Sequence, residues 1–234
     1  MSVLLITGST RGIGLKVTQR LWFDDNGIDT VLLLNRDRGA SESVVAALKA
    51  DNPWNKTVQC YVADLSEANA VIAAATKIST EYERVDMLVN CAGFTDPQPI
   101  QQVSTRSLMD TFQVNFFSPF MIIQTLLKSG NVFSHIINVA STAGINGRSG
   151  WTAYSASKAA LINFSDALRE ELDMFGTRVI CLSPGRCATD LRKVLAPEED
   201  PSTIMQPESV ADVVSFMLSD IGRYVDTNNI VVRK

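Results

Sequence analysis

The sequence predicts a doubly wound α/β fold: a parallel sheet of about seven strands with helices on both faces, built as a single domain. Three observations carry this. Short runs rich in Val, Ile and Leu alternate with longer stretches of helical period along all 234 residues. The runs lack strict in–out alternation, as strands covered on both faces do. No repeat or low-complexity linker divides the chain, and its length and 46% hydrophobic content suit one core.

Taken in order, "SVLLITG" reads as a buried strand, and "IGLKVTQRLWFD" follows with apolar residues at helical spacing. "TVLLLNR" is the second strand, with a helix from Ser41 to Lys49. "KTVQCYVADL" is the third, with a helix from Glu67 to Tyr82. "VDMLVNCAG" is the fourth, followed by one long helix from Ser104 to Leu127. "HIINVAS" is the fifth, with a helix from Trp151 to Met174, and "TRVICLSPG" is the sixth. Pro207, suited to a first helical turn, opens a last helix through Leu218, and "NNIVVRK" closes as a short strand. Residues 186–206 form a substrate-side loop; within them Ala196 to Gln206, with two prolines and three carboxylates, read as a flap. In such a fold ligands bind at the carboxyl ends of the strands.

Composition excludes several functions. Net charge is −4 and the basic residues are scattered, so no nucleic-acid partner is expected. No run of eighteen apolar residues marks a transmembrane helix, and "MSVLLITGS" is too short for a signal peptide, so a cytoplasmic protein without a membrane partner is expected. Cys60, Cys91, Cys181 and Cys187 show no C-x-x-C spacing, which argues for no metal and for buried thiols in a reducing compartment. His135, the one histidine, precedes an apolar run and reads as structural.

Gly8, Gly12 and Gly14 in "LLITGSTRGIGLKV" lie between the first strand and its helix, where a tight turn meets a helix N-terminus able to hold a pyrophosphate. With this T-G-x-x-x-G-x-G turn come "NCAG" after the fourth strand, "VNFFSP" in the long helix, "NVASTAG" after the fifth strand, Tyr154 and Lys158 as Y-x-x-x-K in "WTAYSASKAA", and "SPGRCATD" after the sixth strand. Ser141 lies thirteen residues before Tyr154. In this order the motifs resemble the short-chain dehydrogenase/reductase family, a Rossmann-type fold, over nearly the whole chain. Cys91 departs from the family pattern, standing where a second Asn is usual.

The resemblance implies an NADP(H)-dependent oxidoreductase acting on a small carbonyl or alcohol compound. It assigns Asn115, Ser141, Tyr154 and Lys158 to catalysis. Around the dinucleotide it sets Gly8, Thr10, Arg11, Gly12, Ile13, Gly14, Asn35, Arg36, Asp64 and Leu65 on one side, and Asn90, Ala92, Gly93, Pro184, Gly185 and Thr189 on the other, with Tyr154 and Lys158. Asp64 would meet the adenine amino group, with a helix cap as its competing role, and Thr189 the nicotinamide amide. Charge speaks to the cofactor. The second strand ends "LLLNRD", with Asn35 where NAD-binding relatives carry an acid, and the Arg11 and Arg36 guanidinium groups suit a 2′-phosphate. NADP(H) is therefore expected over NAD(H), with Asp37 the residue that a one-position shift would offer to NAD.

Residues 154 and 158 share a helix face, so the Lys158 cation is expected to favour ionisation of the phenol, and Ser141 to steady the substrate oxygen. Asn115 as part of a proton relay, and Lys158 on the nicotinamide ribose, come from the resemblance. Hydride transfer between NADP(H) and a carbonyl, hydroxy-acid or 3-oxoacyl substrate is the expected activity. The competing expectation is a catalytically silent, nicotinamide-responsive regulator or scaffold. Trp151 is expected to line a pocket or simply to pack, and Arg148, Arg186 and Arg192 are candidates to meet a carboxylate or an acidic carrier. A homodimer or homotetramer joined through the helices beginning at Ser104 and Trp151 is expected.

Overall fold

A computed structural model describes residues 1–234. The strands are β1 (Val3–Thr7), β2 (Thr30–Asn35), β3 (Thr57–Val62), β4 (Met87–Asn90), β5 (His135–Val139), β6 (Arg178–Pro184) and β7 (Asn229–Val232). The helices are α1 (Gly12–Phe23), α2 (Arg38–Ala50), α3 (Ala68–Glu81), α4 (Thr105–Phe112), α5 (Ser118–Lys128), α6 (Thr142–Ile145), α7 (Thr152–Leu172), α8 (Asp190–Leu195) and α9 (Pro207–Leu218). All seven strands are parallel, in the order β3-β2-β1-β4-β5-β6-β7. The winding reverses between β1 and β4, and that switch point opens a crevice at the carboxyl edge of the sheet.

Strands β1 to β6 divide their side chains between two cores. Leu4 and Ile6 of β1 join Val17, Leu21 and Trp22 of α1 and Val210 and Val214 of α9. Val3 and Leu5 join Ile78 of α3, Ile122 and Leu126 of α5 and Leu168 of α7. This two-sided burial explains why the strands read as continuous apolar runs. Truncating one such buried Leu to Ala costs about 2–5 kcal/mol.

Two expectations change. The helix from Ser104 to Leu127 is continuous but not uniform: Gln113–Phe117 takes a π turn between α4 and α5, with the Ser118 amide donating to the Gln113 carbonyl. Pro119 supplies the reason. It has no N–H, so it cannot give the Asn115 carbonyl the bond an α-helix would. The loop expected over residues 186–206 carries helix α8, a 3-10 turn at Pro201–Thr203, and a bridge between Cys187 and Met205.

Candidate active site

The carboxyl ends of the central strands are fastened to one another before any ligand is considered. Thr7, Asn90 and Asn138 stand abreast. The Thr7 hydroxyl accepts from the amides of Cys91 and Ala92, both at 3.1 Å, and Asn90 donates to Asn138 at 2.8 Å. Gly8 follows with φ +70°, and a Cβ there would lie 2.7 Å from Ala92 Cα. A Cβ on Gly14 would meet the Gly8 carbonyl oxygen at 2.1 Å. These two glycines let the turn close against β4 and against its own helix.

The turn ends at the N-terminus of α1, where Arg11 is the N-cap and no side chain caps the first amides. Gly12, Ile13 and Gly14 therefore offer N–H groups and the positive end of the helix dipole to a pyrophosphate. Thr10 lies half-buried in the turn. Thr189, N-cap of α8, stands over it: a Cβ on Gly12 would be 3.3 Å from Thr189 Cγ2.

Several expected cofactor residues prove to be occupied. Asn35 is buried, its carbonyl oxygen accepting from the Ser9 amide at 2.7 Å and its amide donating to the Ser9 hydroxyl at 2.8 Å. It holds the glycine turn in place. Asp64 accepts from the amide and hydroxyl of Ser66, each at 2.9 Å, in a turn ahead of α3, whose N-cap is Glu67, so Asp64 does not cap that helix. Leu65 is core, and its carbonyl accepts from Ser118. Asp37 caps α2 through the Ala40 amide at 2.8 Å, which takes it away from a ribose. Arg11 and Arg36 are exposed and neither is ion-paired.

Beyond the turn lies a cavity of about 360 Å³, lined among others by Ile13, Ser141, Trp151, Tyr154, Pro184, Gly185, Thr189 and Arg192. Ser141 is the N-cap of α6, and its Oγ accepts from the Ala143 amide at 3.1 Å. That bond leaves the hydroxyl proton free to be given to a ligand. Tyr154 and Lys158 lie on α7, both buried. Lys158 Nζ donates to the Val139 carbonyl at 2.8 Å, its one hydrogen bond within the protein. An ammonium has three donors, so two remain unused in a buried place, close to where a Cβ on Gly93 would stand, at 4.0 Å. Unspent donors there, with the uncapped amides of α1, fit the ribose and phosphates of a dinucleotide.

Burial raises the Tyr154 pKa above the usual phenol value, while the Ser141 hydroxyl and the Arg192 guanidinium pull it back down. The Lys158 Nζ turns to Val139 and lies 6.0 Å from the centre of the tyrosine ring. Burial also lowers Lys158, to about 8, so it stays mostly protonated at neutral pH. Without ligand the phenol is neutral and stands ready to give a proton.

Asn115 is fully buried in the π turn. Its amide donates to the Phe94 carbonyl at 2.9 Å and to Ser157 at 3.0 Å, and its oxygen accepts from the Phe94 amide at 2.8 Å. The side chain thus clasps the loop after β4 against α7.

Two features escaped sequence reasoning. Gly144 lets α6 touch the backbone of α7: a Cβ there would fall 2.6 Å from Lys158 C and 2.8 Å from Ala159 N. Arg192 lies over the Trp151 ring at 5.3 Å and is held by Glu199 at 2.6 and 3.0 Å, which fastens α8 across the cavity. Glu199 also takes Arg186 at 3.1 Å. A glycine outside the turn signature and a carboxylate in a loop carry no periodic signal. His135 sits at the start of β5, at the edge of the sheet away from the cavity, and burial lowers its pKa to about 4.

The short chain dehydrogenase family profile matches residues 2–200. A 3-oxoacyl-[acyl-carrier-protein] reductase of Synechocystis is 31% identical over 227 residues, 93% of this chain and 89% of its own. A human (3R)-3-hydroxyacyl-CoA dehydrogenase is 30% identical over 247 residues, 99% of this chain and 94% of its own. Among solved structures, a blue fluorescent protein from a metagenomic library, in complex with NADPH, superposes with a TM-score of 0.86 at 26% identity, covering 99% of this chain and 96% of its own.

Proposed function

The chain belongs to the short chain dehydrogenase family, and on that premise we propose that it transfers hydride between NADP(H) and the carbonyl or hydroxyl carbon of a small molecule, with Tyr154 exchanging the proton. One observation supports this above the others: a free Ser141 hydroxyl and a neutral Tyr154 phenol line the same cavity, above a buried Lys158 with two donors to spare. The similarity to 3-oxoacyl and 3-hydroxyacyl oxidoreductases and to an NADPH complex points the same way.

When bound, the nicotinamide supplies or receives the hydride. The protein does the rest. Arg11 and Arg36 take the 2′-phosphate, and the amides of α1 take the pyrophosphate. Lys158 holds ribose hydroxyls with its two remaining N–H bonds. Ser141 donates to the substrate oxygen, where negative charge grows during reduction, and Tyr154 delivers its proton to that oxygen. Asn115 keeps the loop after β4 pinned beside Lys158. Its carbonyl, denied the amide of residue 119, is free to accept from a water, and through that water Lys158 would regain the proton it passes toward the Tyr154 phenolate after turnover. A silent regulator has no need of this set of groups. The proposal is tested by offering the protein NADPH and a panel of ketones and aldehydes, and measuring NADPH loss against alcohol formed. Matched loss and product are expected. Tight NADPH binding without turnover on any carbonyl would leave the regulatory reading.

Two further results are expected. Arg36→Ala weakens NADPH binding about 10- to 100-fold, as loss of a charged contact does, and leaves NADH binding nearly unchanged. Fluorescence titration of both cofactors checks this, and equal or tighter NADH binding by the wild type removes the assignment. Alcohol oxidation needs the phenolate, so its rate rises with pH through the Tyr154 pKa. Arg192→Gln removes a cation that lowers that pKa, so the midpoint of the rise moves upward. A midpoint that stays still or moves down separates Arg192 from the phenol.

No helix is long and apolar enough to cross a membrane. The four free thiols suit a reducing, cytoplasmic setting. Leu108, Met109 and Phe120 leave apolar surface on α4 and α5, beside Phe164 of α7, and support a dimer or tetramer joined there.

A further inference from the structure

We propose that the substrate carries an anionic oxygen group, a carboxylate or a phosphate monoester, held by Arg148, Arg233 and Lys234 in a chamber beside the catalytic cavity. The inference rests on the reductase reading above and names the class of compound that site takes.

The chamber measures about 650 Å³. Thr142, Arg148, Gly185 and Arg186 line both it and the catalytic cavity, so the two are contiguous. Its cations converge from three directions. Arg148 comes from the loop after α6. Arg186 follows β6. Arg233 and Lys234 arrive through the pairing of β7 with β6, which sets Val232 against Pro184. The Gly185 amide donates to the Val232 carbonyl at 2.7 Å, and a Cβ on Gly185 would lie 3.1 Å from Arg233 Cβ. The end of the chain is thus fastened at the carboxyl edge of the sheet, on the side of the catalytic groups.

Charge is distributed unevenly. The chain as a whole carries −4, yet no Asp or Glu lines either cavity. Arg186 and Arg192 share the Glu199 carboxylate, whereas Arg148, Arg233 and Lys234 form no ion pair at all. Three unpaired cations around one concavity of an acidic protein attract and hold an anion, and guanidinium groups match the oxygens of carboxylate and phosphate. An oxygen anion there and a carbonyl beside Tyr154 would belong to the two ends of one molecule.

The test uses methyl ketones with a terminal group at increasing distance: 4-oxopentanoate, 6-oxoheptanoate and 8-oxononanoate, and ketoalkyl phosphates of the same lengths. Each acid is compared with its uncharged methyl ester and each phosphate with its uncharged dimethyl ester. Calorimetry on the protein saturated with NADP⁺ reads binding without turnover. At least one length of acid or phosphate should bind roughly ten- to hundredfold more tightly than its ester. Arg233→Ala with Lys234→Ala should remove that advantage and leave ester binding unchanged, whereas Lys128→Ala, a cation at the end of α5, should preserve it. Whether the acid or the phosphate shows the larger gain identifies the natural group. Equal binding of charged and uncharged partners at every length, or an advantage that survives the double variant, overturns the proposal. Failure of the reductase reading would look different: charged ketones would still bind preferentially, with no NADPH consumed.

Discussion

Tyr154→Phe is expected to lower kcat for carbonyl reduction by about 10²- to 10⁴-fold, the range a positioned general acid contributes, and to leave NADPH affinity nearly unaltered. The ring is buried on α7 and lines the cavity, so phenylalanine keeps the packing and removes only the hydroxyl. Burial holds the phenol protonated, which suits it to give a proton in the reductive direction at neutral pH. Ser141 cannot replace it, because an ordinary serine hydroxyl is a weaker acid than a phenol. Steady-state kinetics with a cofactor titration separates the effects. A variant turning over at near wild-type rate would mean that the proton comes from elsewhere.

Gly144→Ala is the second large effect, and it needs no change in any group that touches substrate. The added methyl would meet the carbonyl carbon of Lys158 at 2.6 Å, the Ala159 amide nitrogen at 2.8 Å and the Lys158 carbonyl oxygen at 2.9 Å, all backbone. Nothing flexible can yield, so α6 must move off α7. Ser141 caps α6 and Tyr154 sits on α7, so the pair separates as the helices part. Overpacking of this kind costs about 1–3 kcal/mol of stability. A displacement near 1 Å at reacting groups costs about 10²-fold in rate. Gly147→Ala, in the loop just after α6, is the control, since a Cβ there meets nothing within 4 Å. Thermal melts and kcat/KM for both variants decide the matter. Equal behaviour of the two would show that the contact between α6 and α7 does not position the serine.

Much of this was legible in the sequence because it is written in periods and signatures. The last helix begins and ends at Pro207 and Leu218, as the sequence indicates, since proline favours a first turn and the apolar spacing persists to the end. The glycine turn, Ser141, Tyr154 and Lys158 stand out by their order along the chain, and the fold brings Ser141 and Tyr154 to one cavity. What the sequence hides depends on who meets whom in space. Asn35 occupies the position from which a ribose contact was expected, but its amide is taken up by Ser9, twenty-six residues earlier. The phenol was expected to answer to Lys158 one turn away; the lysine also reaches for Val139, and a second cation, Arg192 of α8, acts on Tyr154. Arg192 is set by Glu199 and Trp151, a pairing that no local pattern announces.

The most direct measurement is a crystal structure with NADP⁺ and a product alcohol bound. The alcohol oxygen is predicted to lie about 2.6–3.2 Å from both the Tyr154 and Ser141 hydroxyls, with its carbinol carbon facing the nicotinamide. An alcohol oxygen beyond hydrogen-bond reach of Tyr154, with its carbon toward the cofactor, would contradict the assignment of that phenol as the proton donor.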